Sequence, residues 1–85
     1  MECLAILKSG NYAFNLCNIL ESKGYVFDVV STPCQIASGG CSYCIKFPEE
    51  YKDIIINEGL ANGIYVMEIY KIYPGFSKNK YIKIY

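Results

Sequence analysis

The chain of 85 residues contains no histidine and no arginine, and each absence removes a class of function. Without histidine there is no ordinary general base and no imidazole ligand for a metal. Eight lysines balance eight acidic residues, so the formal net charge is zero and no long-range field favours a polyanion. Nucleic-acid binding is therefore not expected. No apolar run approaches the roughly 18 to 20 residues of a spanning helix, which argues against a membrane role. The start, Met1-Glu2-Cys3-Leu4-Ala5-Ile6-Leu7-Lys8, is too short in its apolar part and too acidic for a signal peptide. The expectation is a cytoplasmic protein.

Apolar residues make up 53% of the chain against 19% charged, which favours a folded globule over a disordered chain, and the length suits one domain. Frequent Ile and Tyr favour a sheet-rich core. Nine tyrosines on a chain of zero net charge leave little repulsion between copies, so a homodimer is the default expectation.

The conspicuous reactive group is sulfur. Three of five cysteines fall in Thr32-Pro33-Cys34-Gln35-Ile36-Ala37-Ser38-Gly39-Gly40-Cys41-Ser42-Tyr43-Cys44. In a reducing compartment thiols stay free, and an odd number of them is poorly explained by a structural disulfide framework.

Cys3 to Leu7 reads as a buried central strand. Asn11 is placed to cap a helix over about Tyr12–Lys23, whose stripe is Ala13, Leu16, Cys17 and Leu20 and whose stop is Gly24. Tyr25–Val30 is β-branched and aromatic and ends before Pro33, a second strand. Ser42–Phe47 alternates, with Tyr43, Ile45 and Phe47 on one face and Ser42, Cys44 and Lys46 on the other. Pro48-Glu49-Glu50 opens a second helix whose inward stripe is Tyr51, Ile54, Ile55 and the stem of Glu58, ended by Gly59 and Gly63. Ile64–Tyr70 makes a fourth strand. After the turn signal Pro74-Gly75, Tyr81–Tyr85 alternates as a fifth strand or is a frayed tail beyond the soluble linker Ser77–Lys80. The order βαββαβ predicts a ferredoxin-like α+β domain over residues 1–73, an antiparallel sheet with two helices on one face. Residues 74–85 are then a C-terminal extension, expected as an added edge strand.

Cys41-Ser42-Tyr43-Cys44 is formally a C-x-x-C, but it enters a strand rather than a helix, so its two side chains would point to opposite faces. A zinc site would need Cys34, Cys41, Cys44 and a distant Cys3 or Cys17, with one C-x-x-C where two would be a strong signal, so no metal or other cofactor is expected. A persulfide or selenol relay needs less. One accessible thiol suffices, with backbone N–H groups to stabilise its thiolate and room for a partner's sulfur. Ser38-Gly39-Gly40-Cys41 offers that setting, because consecutive glycines can form an anion-binding nest and Ser38 or Ser42 can donate to the thiolate. The alternative is that Cys41 packs as a small hydrophobe and the glycines make a turn. Cys34 is the better-placed resolving thiol, with Cys44 a second candidate whose pKa Lys46 could lower from the same face. Cys3 and Cys17 read as core residues.

The order of parts resembles a family of small selenium or sulfur carrier-like proteins. The shared features are a strand and helix, a second strand ending in Thr32-Pro33, a short loop to Cys41, an alternating strand closing on Phe47-Pro48, and an acidic helix start. The resemblance spans about residues 3 to 72. It implies that Cys41 is the carrier thiol and that the partners are sulfur or selenium donor and acceptor proteins. Two features depart from the family pattern: Ser42 stands where glycine usually follows the cysteine, and Cys34 and Cys44 are additional thiols. The competing function is a non-catalytic interaction or regulatory module with structural cysteines.

Overall fold

The computed structural model describes residues 1–37 and 43–85. At its centre is β1 (Glu2–Ile6), flanked by β3 (Tyr43–Pro48) on one side and β4 (Glu68–Tyr73) on the other, both antiparallel to it. A strand covered on both faces has no reason to alternate, which is why Cys3 to Leu7 is apolar throughout. All five of these residues are buried. Outside β3 lies β2 (Asp28–Ser31), and outside β4 lies β5 (Lys80–Lys83), giving a five-stranded antiparallel sheet in the order β2-β3-β1-β4-β5. The fold is α+β, two helices with a five-stranded antiparallel sheet, one strand more than the βαββαβ order expected from the sequence.

Helices α1 (Gly10–Ser22) and α2 (Lys52–Ala61) pack on one face of the sheet. From α1 come Ala13, Leu16 and Leu20, from α2 comes Ile55, and these meet Cys3, Ala5, Leu7, Ile45, Phe47 and Ile69. Each large aliphatic or aromatic side chain fully buried there contributes about 1.5–3 kcal/mol. Half-buried Tyr51 and Ile54 flank the core, and Glu58 leaves the stripe to pair with Lys23 at 2.8 Å.

Both helices end in the same way. Gly24 (φ +92°) donates to the Glu21 carbonyl while Tyr25 donates to that of Leu20, and Gly63 (φ +70°) donates to Leu60 while Ile64 donates to Gly59. These paired bonds satisfy the last helical carbonyls, and the left-handed residue each needs is glycine. At the start of α1 the cap is Ser9 rather than Asn11. Its backbone is extended and its hydroxyl accepts from the Tyr12 N–H at 3.4 Å, so the helix begins earlier than the sequence suggested. The second helix is preceded by a single 3-10 turn at Glu49–Tyr51.

Two strands are shorter or later than expected. Ile64 to Met67 is extended but lies past the end of β1: Met67 donates to the Ile6 carbonyl, and the paired register begins at Ile6 with Glu68. Ile64 and Val66 still turn into the core while Tyr65 and Met67 face out. Likewise Tyr25 to Phe27 leaves the ladder. Continuing the register would bring Val26 to Pro48, which has no N–H to donate. Tyr25 and Phe27 instead form an aromatic group with Tyr51 and Phe47, at centroid distances of 5.4 to 6.5 Å.

The face away from the helices is half covered. Leu4, Ile6 and Cys44 are buried there, with Val30, Ile36, Tyr70, Ile72 and Tyr81 packed around them. Ile36 belongs to the thiol loop and Tyr81 to β5, so two segments from opposite edges of the sheet meet over this second, smaller core.

Candidate functional site

After Ser31 the chain leaves the edge of the sheet. The N–H groups of Ile36 and Ala37 both donate to the Pro33 carbonyl, at 3.1 and 2.9 Å, closing a tight turn over residues 33–37. Proline at its start has no donor to lose there and a φ already suited to the turn. The turn directs Ile36 inward, against the cluster of Leu4, Ile6 and Cys44, and leaves Cys34 and Gln35 exposed. Ser38, Gly39, Gly40, Cys41 and Ser42, which carry the expected acceptor thiol and its stabilising groups, lie outside the described residues. The chain re-enters the sheet at Tyr43, whose ring lies 5.5 Å from that of Phe14 and against the face of Gly10. A Cβ on Gly10 would come within 3.1 Å of the Tyr43 ring, so the small residue lets the start of α1 approach the strand.

The two remaining cysteines of the cluster are in opposite situations. Cys34 is exposed, whereas Cys44 is fully buried. Cys44 does sit on the opposite face of β3 from Ile45 and Phe47, as alternation requires. That face is nevertheless closed at this position, because Ile6 and Val30 stand on the neighbouring strands and Ile36 packs into the same cluster. A buried thiol is out of reach of a second sulfur without an opening of the loop. Lys46 remains exposed, opposite Asp28 in the register of β2 and β3.

Cys3 and Cys17 serve as packing groups. Cys3 is fully buried in the main core, and burial, followed by the nearby Glu49 carboxylate, pushes its thiol pKa up. Cys17 is half-buried beside the core, its sulfur 4.0 Å from the Phe27 carbonyl. Burial, then Asp28 and Glu21, push its thiol up to about 11. Neither thiol is poised to react near neutral pH, since the thiolate is the nucleophile. Because the folded value for Cys17 lies above the ordinary 9.0, its contribution to stability is present below about pH 9 and is lost as pH rises through about 11. Urea unfolding should therefore show a stability decline over that interval that is smaller in Cys17→Ala; an identical decline would contradict the assignment.

Gln35 and Ile36 also form one wall of a groove of about 330 Å³, whose other wall is residues 78–82 of the C-terminal hairpin. A second concavity, of about 490 Å³, lies between Lys8, Tyr12, Ile64, Tyr65 and Met67 at the start of α1. Among the described residues no group of three or more His, Cys, Asp or Glu side chains is arranged to hold a metal ion, and no helix is long and apolar enough to cross a membrane.

Residues 2–71 match the family described as "Putative Se/S carrier protein-like". The chain belongs to the Se/S carrier protein-like family. No curated protein and no solved structure matches it. The matched part of this Se/S carrier-like chain takes in both helices, β1 to β3 and the thiol loop, and stops at Lys71 within β4. The hairpin that forms the far wall of the loop groove therefore lies outside the family match. Sequence reasoning treated Ser77–Lys80 as a linker and missed that wall. The available signal was charge, since residues 74–85 carry three lysines and no acidic side chain.

Proposed function

We propose that this protein is a cytoplasmic sulfur or selenium carrier in which Cys41 accepts a chalcogen from a donor protein and passes it to an acceptor. The family match across residues 2–71 carries the reading, because that span includes Cys41 and the loop around it. The balance of the step is simple. The Cys41 thiolate attacks the outer sulfur of a donor persulfide, the donor S–S bond breaks, the donor thiolate leaves, and Cys41 holds the persulfide with no net oxidation. In this reading Ser38, Gly39, Gly40 and Ser42 stabilise the Cys41 thiolate.

Resolution falls to Cys34 rather than Cys44. Attack of a second thiolate on the inner sulfur of the Cys41 persulfide expels hydrosulfide and leaves a disulfide. Cys34 is exposed on the same loop, while the sulfur of Cys44 lies under Ile36 and beside Leu4 and Ile6. In the same reading β2-β3-β1-β4 with α1 and α2 is a ferredoxin-like βαββαβ unit over residues 1–73, and residues 74–85 are an appended edge.

The test is mass spectrometry after incubation with a persulfide donor. The wild type should gain one sulfur atom that thiol reductant removes, and Cys41→Ser should gain none. Equal loading of the variant would overturn the assignment. Cys34→Ser should retain the added sulfur longer than wild type, and Cys44→Ala should release it at the wild-type rate.

A second reading, an interaction or regulatory module that pairs as a homodimer, has its own observation. Tyr12, Tyr65 and Met67 are 40%, 64% and 60% exposed around the concavity at the start of α1, a concentration of apolar surface. It predicts slow thiol labelling of every cysteine and an oligomer that Cys41→Ser leaves intact.

A further inference from the structure

Two connections run side by side at one end of the sheet. The strand β1 ends where its antiparallel neighbour β4 begins, so the chain passing from Lys8 into α1 lies next to the chain that returns from Gly63 to Met67. The Met67 N–H, donating to the Ile6 carbonyl at 2.8 Å, ties the two together at their base. Between them is the cavity of about 490 Å³, within the roughly 300–1,000 Å³ of small-molecule sites.

Its walls are more apolar than the fold requires. Along the returning segment Ile64 and Val66 take the core side, which leaves Tyr65 and Met67 on the outer side, where they bury nothing of the core. Tyr12 stands on the other wall, one helical turn before the buried Leu16. Two phenol rings and a thioether suit an aromatic body, through ring stacking and sulfur–ring contact.

Lys8 is the one charged residue that lines the cavity. The first turn of α1 contains no acidic residue, and the three ion pairs between described residues use Lys23, Lys71 and Lys83. The Lys8 ammonium is thus a point charge on a flexible stem, and the Tyr12 and Tyr65 hydroxyls are further donors. A single cation suits a monoanion, whereas a phosphate dianion would call for a second.

We propose that this cavity binds a small aryl-bearing carboxylate, its carboxyl group on Lys8 and its ring between Tyr12, Tyr65 and Met67. The site is separate from the thiol loop and stands whether or not Cys41 carries a chalcogen. Its charge selectivity is modest, since an exposed ion pair adds no more than about fivefold to what apolar contact supplies.

The two methionines supply the readout. Met67 lines the cavity, whereas Met1 lies beyond the other end of β1 and lines a different concavity. In the full-length chain, isotope-labelled at the methionine methyl groups, one NMR resonance therefore reports the site and the other is an internal reference. Titration with 4-phenylbutyrate, 4-phenylbutan-1-ol and 4-phenylbutylamine should shift Met67 and leave Met1 in place. Affinity should fall in that order, with the carboxylate about fivefold tighter than the alcohol. Lys8→Gln should bring carboxylate and alcohol to equal affinity, and Lys8→Arg should keep the preference. Added salt should erode it in the wild type and leave the glutamine variant unchanged. Tyr65→Ala, at an exposed position, should weaken all three ligands by about threefold to tenfold and preserve their order. Equal binding of carboxylate and alcohol by the wild type, or movement of Met1 together with Met67, would overturn the proposal. So would a Met67 resonance that shifts with protein concentration before any ligand is added, which would assign the cavity to a second copy of the chain.

Discussion

Phe47→Ala should lose about 4 kcal/mol of folding stability, within the range for truncating an aromatic side chain in a closed core. Phe47 is the largest of the fully buried side chains. It lies on β3 opposite Cys3 of the central strand, and its ring meets Phe27 edge-on at 6.3 Å. Phe27 in turn leads to Tyr25 and Tyr51, so the same truncation loosens the segment between α1 and β2 and the turn before α2. A domain of this size has about 4 to 13 kcal/mol in total, so the variant should be close to half unfolded or well on the way at modest urea. Phe14→Ala is the control. Phe14 is 47% exposed and should change stability by less than about 1 kcal/mol. Comparable urea midpoints for the two variants would show that the core is not organised around β3.

Gly59→Ala should be the next most damaging change, although it adds one methyl group at a helical position where alanine is ordinarily favoured. A Cβ at residue 59 would stand 2.3 Å from the Ile64 carbonyl oxygen, closer than any real contact allows. The neighbour is backbone and cannot swing aside. Ile64 is held there by its own N–H, which donates to the Gly59 carbonyl at 2.8 Å and closes the end of α2. Relief requires shifting the segment that carries Ile64 and Val66 into the core, at a cost of about 3 kcal/mol. Differential scanning calorimetry should show a midpoint lower by roughly 12 to 24 °C. A midpoint within a few degrees of wild type would mean that the α2–β4 connection has slack that its close approach does not suggest.

The apolar run of β1, the stripe of α1, the stops at Gly24 and Gly63 and the alternation of β3 were legible because each depends on neighbours in sequence. What escaped depends on where a partner strand ends. Ile64 to Met67 has the composition of a strand, and it stays outside the ladder because β1 has no residue left to pair with it. Asn11 and Ser9 are both competent caps, and the choice between them follows from how far the chain runs on from β1 before it turns. At the site, the period of β3 set Cys44 on its proper face without revealing that Ile36 would close that face. Nor did any local pattern show that a lysine-bearing turn forty residues downstream would lie across from Gln35, since that contact is made only when β5 pairs with β4.

The two outer strands bear on how the molecule stays dispersed. Zero net charge gives no repulsion between copies, and an open sheet offers unpaired backbone groups along both margins. Here those margins are brief, four residues each, and each carries ionic side chains: Asp28 on β2, Lys80 and Lys83 on β5. Two β5 margins brought together would set lysine near lysine. Fibrillar stacking is thus discouraged by strand length and local charge, and contact between copies is left to the side-chain surfaces of the molecule.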